Sequence, residues 1–478
     1  MTATRDPDSP PATDDDLNDA ERALLKAAAT GALVDLRTGD LDADNPANAE
    51  NWGNDRNVRA DFLADLLTGD RPAGPGRLRF VRLRGARITS GLDLEARTLL
   101  CPLLLQDCCF DEPVRLIEAE AVSIRFPRCH LPELDASRLR TSGNAEFKGL
   151  TADGGIRLMG AHIGGLLDLS GAALANEGGS ALSADGLTVE QNMFCRDGFT
   201  AHGRIRMTGA RIGGQLDFSA ATIASDDGWA LAADSLTVGQ SMHCRHMTVH
   251  GEIRLLGTRI DGQFDLSGAS LANSSGPALH ADGLTVGQGL FCRDGFTARG
   301  GIVLTNAKVG ELIDDEASWP GILHLRGFSY GSLGSRDVSV HARLRWLQRN
   351  PGRFTPGIYD QLADAYRRAG DDDLARKVLV AKERRRRKPY NPLSWLWWVT
   401  VGYGYRTWQA FIWSAVLIVA GSLVFSGAYP AHMAALSAYP RGSSRLSTRS
   451  TCCCRPAGWA RRAPGSRQRP GCWTGTGG

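Results

Sequence analysis

Large apolar residues recur at every fifth or sixth position through the middle of the chain, as at Leu187, Met193, Phe199 and Ile205. An amphipathic helix would place apolar residues three and four positions apart, and a half-buried strand would place them two apart. A five-to-six period suits a chain that turns a corner after each short strand and sends one large side chain inward from each side. The pattern therefore predicts a solenoid of short strands.

The same region contains three consecutive copies of a longer unit. Arg157, Arg206 and Arg254 occupy equivalent positions in these copies, and the unit repeats after about 48 to 49 residues, a period typical of solenoids. Four sides of five or six residues form a coil of roughly 20 to 24 residues, so one unit holds two stacked coils. Neighbouring coils would pair in parallel, about 4.8 Å apart. One polar loop is expected in each unit, at 176–179, 225–228 and 273–276.

These patterns predict a mainly β fold: a right-handed parallel β-helix solenoid with small helical flanks and a C-terminal transmembrane helix. Short amphipathic patterns predict the helical flanks, including a helical hairpin after the solenoid. The predicted organisation is a disordered acidic segment at 1–17, a helical cap at 18–77, the solenoid at 78–335, the hairpin and a basic juxtamembrane segment at 336–390, an aromatic interface and transmembrane helix at 391–430, and a disordered tail at 431–478.

The membrane prediction depends on the segment that follows the hairpin. No Asp, Glu, Lys or Arg occurs from Thr407 to Pro440, and about 20 apolar residues span a bilayer core. A basic cluster precedes this stretch and is expected to face lipid headgroups: Arg384, Arg385, Arg386, Arg387 and Lys388. Basic residues favour the cytoplasmic side, which predicts a plasma-membrane protein with its solenoid in the cytoplasm. A buried core helix is the alternative.

Charge is unevenly distributed although the formal net charge is only +3. The segment 1–16 contains five Asp and one Arg, whereas the segment 439–478 contains eight Arg and no acid. The tail mixes Arg, Pro, Gly, Ser, Cys and Trp without periodicity. Two interpretations stay open for it: a disordered tail, or a reading frame lost near Pro440.

Motifs for catalysis, cofactors or metals are not found in the sequence. Gly402-Tyr403-Gly404 lacks the third glycine of a dinucleotide-binding turn, and no Cys-x-x-Cys pair occurs. Cys195, Cys244 and Cys292 recur with the repeat, about 10 Å apart if two coils separate them, which is too far for shared metal ligation. Packing is the favoured interpretation for these cysteines. The sequence therefore predicts no cofactor.

Two columns of charged residues also follow the repeat and are candidate interaction residues. Their members are Arg157, Arg206 and Arg254 in one column and Asp168, Asp217 and Asp265 in the other. Adjacent columns of opposite charge could form exposed ion pairs, each worth under about 1 kcal/mol. Alternatively, a charged face could bind a protein partner, anionic lipid or nucleic acid. Interleaved acids make nucleic acid the least favoured of these partners.

Several motifs together resemble a known family. They are the Gly-Ala pentads such as Gly160-Ala161-His162-Ile163, the start Glu21-Arg22-x-Leu24-Leu25, Trp52-Gly53, the hairpin motif Tyr366-Arg367-Arg368-Ala369-Gly370, and Thr400-Val401-Gly402-Tyr403-Gly404-Tyr405-Arg406. The chain is similar to an actinobacterial family of pentapeptide-repeat-like β-helix membrane proteins, often labelled membrane-associated oxidoreductases. That label implies a redox cofactor, for which the sequence shows no motif.

The function expected from the sequence is a non-enzymatic, membrane-anchored scaffold that presents its solenoid to a cytoplasmic protein. The expected partners are membrane lipid and a cytoplasmic protein whose identity the sequence does not define. A membrane-associated oxidoreductase is the alternative that the resemblance implies, since a fold does not determine a function. A truncated, non-functional copy is a third possibility.

Overall fold

The structure of the protein is a computed structural model that describes residues 16–71, 78–334, 338–386 and 407–428. The chain divides into two compact units, Met1–Thr407 and Trp408–Gly478. The described part of the first unit is a parallel β-solenoid of about 11 turns with a few helices. The expected mainly β solenoid with helical flanks is thereby confirmed. The handedness of the coil stays a prediction.

Two long sheets form the walls of the solenoid. The first sheet contains the strands Leu33–Asp35, Val81–Arg84, Leu103–Gln106, Glu120–Ala121, Ile124–Arg125, Arg140–Thr141, Ala145–Glu146, His162–Ile163, Leu167–Asp168, Thr188–Val189, Met193–Phe194, Arg211–Ile212, Leu216–Asp217, Thr237–Val238, Met242–His243, Arg259–Ile260, Phe264–Asp265, Thr285–Cys292, Lys308–Asp314 and Ser329–Leu333. The second sheet contains Asn57–Arg59, Arg87–Thr89, Cys109–Phe110, Val114–Arg115, His130–Leu131, Leu134–Asp135, Thr151–Ala152, Ile156–Arg157, Ala173–Ser183, Thr200–Arg206, Thr222–Ala232, Thr248–Arg254, Ser270–Ala272, Leu279–His280, Thr297–Arg299, Ile302–Val303 and Leu323–His324.

Strand pairing gives the length of each coil. His162 pairs with Thr188 in the next coil, and Thr188 pairs with Arg211 in the coil after that. Both pairings are parallel, and the two coils together span the interval at which the sequence repeats. The coil from His162 to Thr188 is the longer one because it contains the predicted loop, where the register slips between Ala175 and Ser180. The two-coil unit inferred from the sequence is therefore the one that the structure forms.

Inward-facing side chains form one continuous core along the solenoid. Leu187, Met193, Phe199 and Ile205, which define the five-to-six period, are all completely buried. Each coil buries its apolar row against the coils beside it, so the interior is stabilised by stacking. Phenylalanines reinforce this stacking in the early coils, as the rings of Phe126 and Phe147 lie 5.9 Å apart.

Helices lie before and after the solenoid. Their bounds are α1 at Asp19–Ala28, α2 at Ala60–Thr68, α3 at Val340–Gln348, α4 at Pro356–Arg368, α5 at Asp372–Arg386 and α6 at Thr407–Ala428, with short 3₁₀ turns at Pro46–Asn51, Asn54–Arg56 and Glu316–Ser318. The segment before the solenoid also contributes strands: Leu33–Asp35 pairs with the first sheet and Asn57–Arg59 with the second. The sequence does not predict these two strands, because segments of three residues are too short to show a period.

The predicted transmembrane helix is not supported. The structure contains the helix α6 inside the predicted 391–430 segment, whose residues 391–406 and 429–430 lie outside the described part of the chain. In the described ranges, none of the helices combines the length and the apolar character that crossing a bilayer requires.

Candidate functional site

The arginine column lies on the outside of the second sheet. Its members are two coils apart, since Arg157 pairs with Ser183, which pairs with Arg206. Each arginine forms an ion pair with an acid of the preceding coil, and these acids are Glu133 and Asp135 for Arg157, Asp185 for Arg206 and Asp234 for Arg254. The column is therefore a series of neutralised pairs between coils.

The aspartate column lies in the first sheet and does not face the arginine column. Asp168, Asp217 and Asp265 are all buried. Each carboxylate accepts a hydrogen bond from the backbone N–H two positions later, for example from Ser170 N to Asp168 Oδ1 at 2.9 Å. Each also binds a basic side chain of the preceding coil: Lys148 at 3.1 Å, Arg196 at 3.5 Å and Arg245 at 2.5 Å.

The expected pairing between the two columns is therefore wrong. Sequence periodicity gives the phase of a residue in the repeat, but it does not say on which side of the coil that phase falls. Here the two phases belong to different sheets. Burial also leaves the aspartates little surface to offer a partner, so they are best explained by the stability of the coils.

The predicted basic cluster lies at the end of α5. Arg385 donates a hydrogen bond to the Tyr359 hydroxyl at 3.2 Å, and Arg386 lies 3.7 Å from Glu383. Arg384 and Arg385 line a cavity of about 330 Å³ with residues of α3 and α4. The other two members, Arg387 and Lys388, lie outside the described residues.

The repeated cysteines belong to the solenoid wall. Cys195 and Cys244 are completely or almost completely buried, as the packing interpretation expects, whereas Cys292 is partly exposed. Burial raises the pKa of the Cys195 thiol well above its usual value, which disfavours the thiolate form. Over the described ranges, no group of three or more His, Cys, Asp and Glu could hold a metal ion.

A third column, which the sequence analysis did not single out, lies on another side of the first sheet. Its register is Arg140, His162, Thr188, Arg211, Thr237, Arg259, Thr285 and Lys308 in eight successive coils. We name the four exposed cations Arg140, Arg211, Arg259 and Lys308 the basic column. Arg259 pairs with Asp261 at 2.8 Å. The other three form no ion pair within the described part of the chain. The signal was available in the sequence as a basic residue before Ile212, Ile260 and Val309, in alternate coils of this side.

A cavity of about 440 Å³ lies at the first coils, between the solenoid and the segment that follows the strand Leu33–Asp35. Three arginines from different parts of the chain converge there on one carboxylate: Arg84 Nε lies 2.8 Å and Arg128 Nε 2.6 Å from Asp107, and Arg37 lies 3.5 Å away. Burial raises the pKa of the Asp107 carboxyl, but the hydrogen bonds from Arg128 and Arg84 outweigh it and the net pKa is lowered.

Comparison with known proteins gives no relative: no family model, no curated protein and no solved structure matches the chain. The resemblance to the actinobacterial membrane proteins therefore stays a prediction. The basic column and the cavity are the two charged features of the described residues that could bind a ligand.

Proposed function

We propose that this protein is a non-enzymatic scaffold whose solenoid binds an extended acidic segment of a cytoplasmic partner protein. The basic column carries the proposal. Arg140, Arg211 and Lys308 are exposed and form no ion pair within the described residues, in contrast to the neutralised arginines of the second sheet. A row of cations with free donors attracts carboxylates and steers their approach.

The spacing of the column suits one backbone conformation in particular. Arg211, Arg259 and Lys308 are two coils apart, so successive cations are separated by about 9.6 Å. A polyproline II segment has three residues per turn and rises about 3.1 Å per residue, so every third side chain lies on one face at intervals of about 9.3 Å. An acidic residue at every third position would therefore match Arg211, Arg259 and Lys308. Arg140 falls outside this spacing, because it lies three coils before Arg211.

The surroundings of the column allow such a segment to approach. From Arg211 to Lys308 the intervening positions are Thr237 and Thr285, and Thr188 comes directly before Arg211; these threonine side chains are short and can hydrogen bond. His162 is the other position between Arg140 and Arg211. At the next corner, the exposed glycines Gly213, Gly239 and Gly287 leave no side chain beside the column in their own coils. The coils of Thr188 and Arg259 have Glu190 and Asp261 at this corner, and these two acids pair with His162 and Arg259. Uncharged threonines between the cations also favour a ligand with spaced carboxylates over one with a continuous charge.

We test the proposal with two synthetic peptides of equal composition. One repeats Asp-Pro-Pro four times, and the other places the same four Asp together and the Pro after them. Fluorescence anisotropy with the full chain should show saturable binding of the first peptide, tighter than that of the second and weakened by salt. Equal affinities would contradict the spacing argument, and tighter binding of a DNA oligonucleotide of equal charge would contradict a protein partner.

Two double variants locate the binding surface. Arg211→Gln/Lys308→Gln removes two unpaired cations that are four coils apart, and we expect roughly tenfold weaker binding because two exposed charge contacts are lost. Arg157→Gln/Arg254→Gln is the matched control, with the same separation on the other sheet, and it should bind like the wild type. Equal losses in both variants would show that net charge decides binding and would contradict the proposal.

We also propose that the solenoid lies at the cytoplasmic face of the plasma membrane. Arg384, Arg385 and Arg386 give α5 a basic end, which suits anionic headgroups. The helix α6 exposes large apolar side chains, with Phe411 76% and Leu417 70% exposed, and such surface favours apolar surroundings.

We expect the full chain to float with vesicles that contain phosphatidylserine, and the triple variant Arg384→Gln/Arg385→Gln/Arg386→Gln to float less. Arg345→Gln/Arg353→Gln/Arg376→Gln is the control for total charge, and equal flotation of the two triple variants would contradict the role of the basic end.

The oxidoreductase alternative is tested by an independent observation. An enzyme of this class would hold a redox group, and flavin, haem and iron–sulfur groups absorb visible light. A visible absorbance band in the purified full chain would therefore contradict the non-enzymatic proposal.

A further inference from the structure

The cavity at the first coils is built from distant parts of the chain. Arg37, Asp44 and Asn45 come from the segment before the solenoid, whereas Arg84, Asp107 and Arg128 come from three successive coils. Asp107 and Arg128 occupy equivalent corner positions in two successive coils. The next two coils have glycines, Gly149 and Gly171, at this corner. These two side chains therefore depart from the neighbouring pattern, and Gly149 leaves space beside Arg128.

Arginines outnumber acids in the charged cluster at this cavity, while the lining residue His130 separately binds the exposed Asp153 at 2.9 Å. Four guanidinium groups lie in the cluster, because Arg56 joins it by binding Asp44 at 2.9 Å. Three carboxylates oppose them, namely Asp107, Asp44, and Asp35, which pairs with Arg37 at 3.0 Å. Gln106 can add an acceptor for Arg128 and Arg84, but it is neutral. The cluster therefore has one positive charge that its own acids do not balance.

Hydrogen-bond donors are also in excess. A guanidinium group has five N–H donors, whereas a carboxylate has only two oxygens. Arg128 uses Nε and Nη2 on Asp107, at 2.6 and 3.1 Å, and its Nη1 makes no hydrogen bond to any described residue. The Arg128 side chain is 55% exposed and lines the cavity, so this nitrogen is available to a ligand.

We propose that this cavity binds a small metabolite through a phosphate or carboxylate group. Guanidinium groups bind both oxyanions through charge-assisted, often bidentate hydrogen bonds. The volume of about 440 Å³ falls within the range of small-molecule pockets, so the ligand has a body larger than the anionic group itself. The inference is independent of the basic column, which is formed by other residues on a different surface.

The test uses isothermal titration of the full chain with three probes. Inorganic phosphate is the minimal oxyanion, glucose 6-phosphate adds a polar body to a phosphate ester, and citrate offers carboxylates only. We expect saturable binding of at least one organic probe, tighter than that of inorganic phosphate. The tighter of the two organic probes then identifies phosphate or carboxylate as the preferred group. The absence of saturable binding for all three probes would overturn the proposal.

A matched pair of arginines supplies the control. Arg128 and Arg138 both occupy left-handed corners, with φ of 53° and 57°, and both bind an acid of the preceding coil through Nε, at 2.6 and 2.7 Å. Arg128→Met should weaken binding roughly tenfold or more, because a charge-assisted hydrogen bond is lost. Arg138→Met should bind like the wild type. If Arg128→Met does not fold, Arg128→Lys tests the same point, since it keeps the charge with fewer donors. Equal losses at both positions would overturn the assignment.

Discussion

Replacing Asp314 with alanine is expected to lower the free energy of unfolding by about 3–5 kcal/mol, because it leaves a buried guanidinium group unpaired. Arg343 is only 1% exposed, and it donates to both Asp314 oxygens at 2.8 and 2.5 Å. Trp319 Nε1 also donates to Asp314 at 2.7 Å. The pair joins α3 to the strand Lys308–Asp314, and solenoids need covered ends. Urea unfolding measures the loss.

Two controls distinguish the buried pair from an ordinary surface contact. Glu316→Ala removes the partner of Arg345, which lies in α3 as Arg343 does. Glu316 and Arg345 form an ion pair of 2.6 Å, but both side chains are at least half exposed. The expected loss is under about 1 kcal/mol. The double variant Asp314→Leu/Arg343→Met should regain most of the loss, because no buried charge remains. A similar loss for Asp314→Ala and Glu316→Ala would contradict the burial of the pair.

Replacing Phe218 with alanine is expected to cost about 3–5 kcal/mol, because the ring is completely buried and its removal leaves a cavity. Coils contact only their neighbours, so the damage should be local. Hydrogen exchange should accelerate in the coils beside Phe218 and stay unchanged near Leu83. Phe194→Ala is the control, because the Phe194 ring is only partly buried and lies 4.5 Å from the guanidinium carbon of Arg196. Its expected cost is about 1 kcal/mol. Equal effects of the two substitutions would contradict the inward orientation of Phe218.

Periodicity made the solenoid predictable from the sequence. Leu187, Met193 and Phe199 repeat at an interval that few structures allow, and the structure buries all three. The spacing of the longer repeat likewise predicted two coils per unit, which the pairing of His162, Thr188 and Arg211 confirms. These features are repeated many times, so a single sequence contains enough copies to define them.

The charged surfaces were less predictable because they depend on which side of the coil each phase occupies. Arg157 and Asp168 belong to one coil, but the strand His162–Ile163 lies between their strands, which are in different sheets. The cavity could not be predicted at all, since it forms where Arg37 and Asp44 meet coils that come much later in the chain. Contacts between an irregular segment and a repeat leave no periodic signal in the sequence.

The central claim is that the basic column receives a spaced acidic segment, and carbodiimide crosslinking tests it most directly. The reagent forms an amide bond between an amine and a carboxylate that are in contact with each other. The basic column contains one amine, that of Lys308. Lys148 is the internal control, because it is 54% exposed but lies beside Asp168, away from the basic column. With the Asp-Pro-Pro peptide bound, mass spectrometry should find the peptide on Lys308 and not on Lys148. Crosslinks on Lys148, or equal amounts on both lysines, would contradict the account.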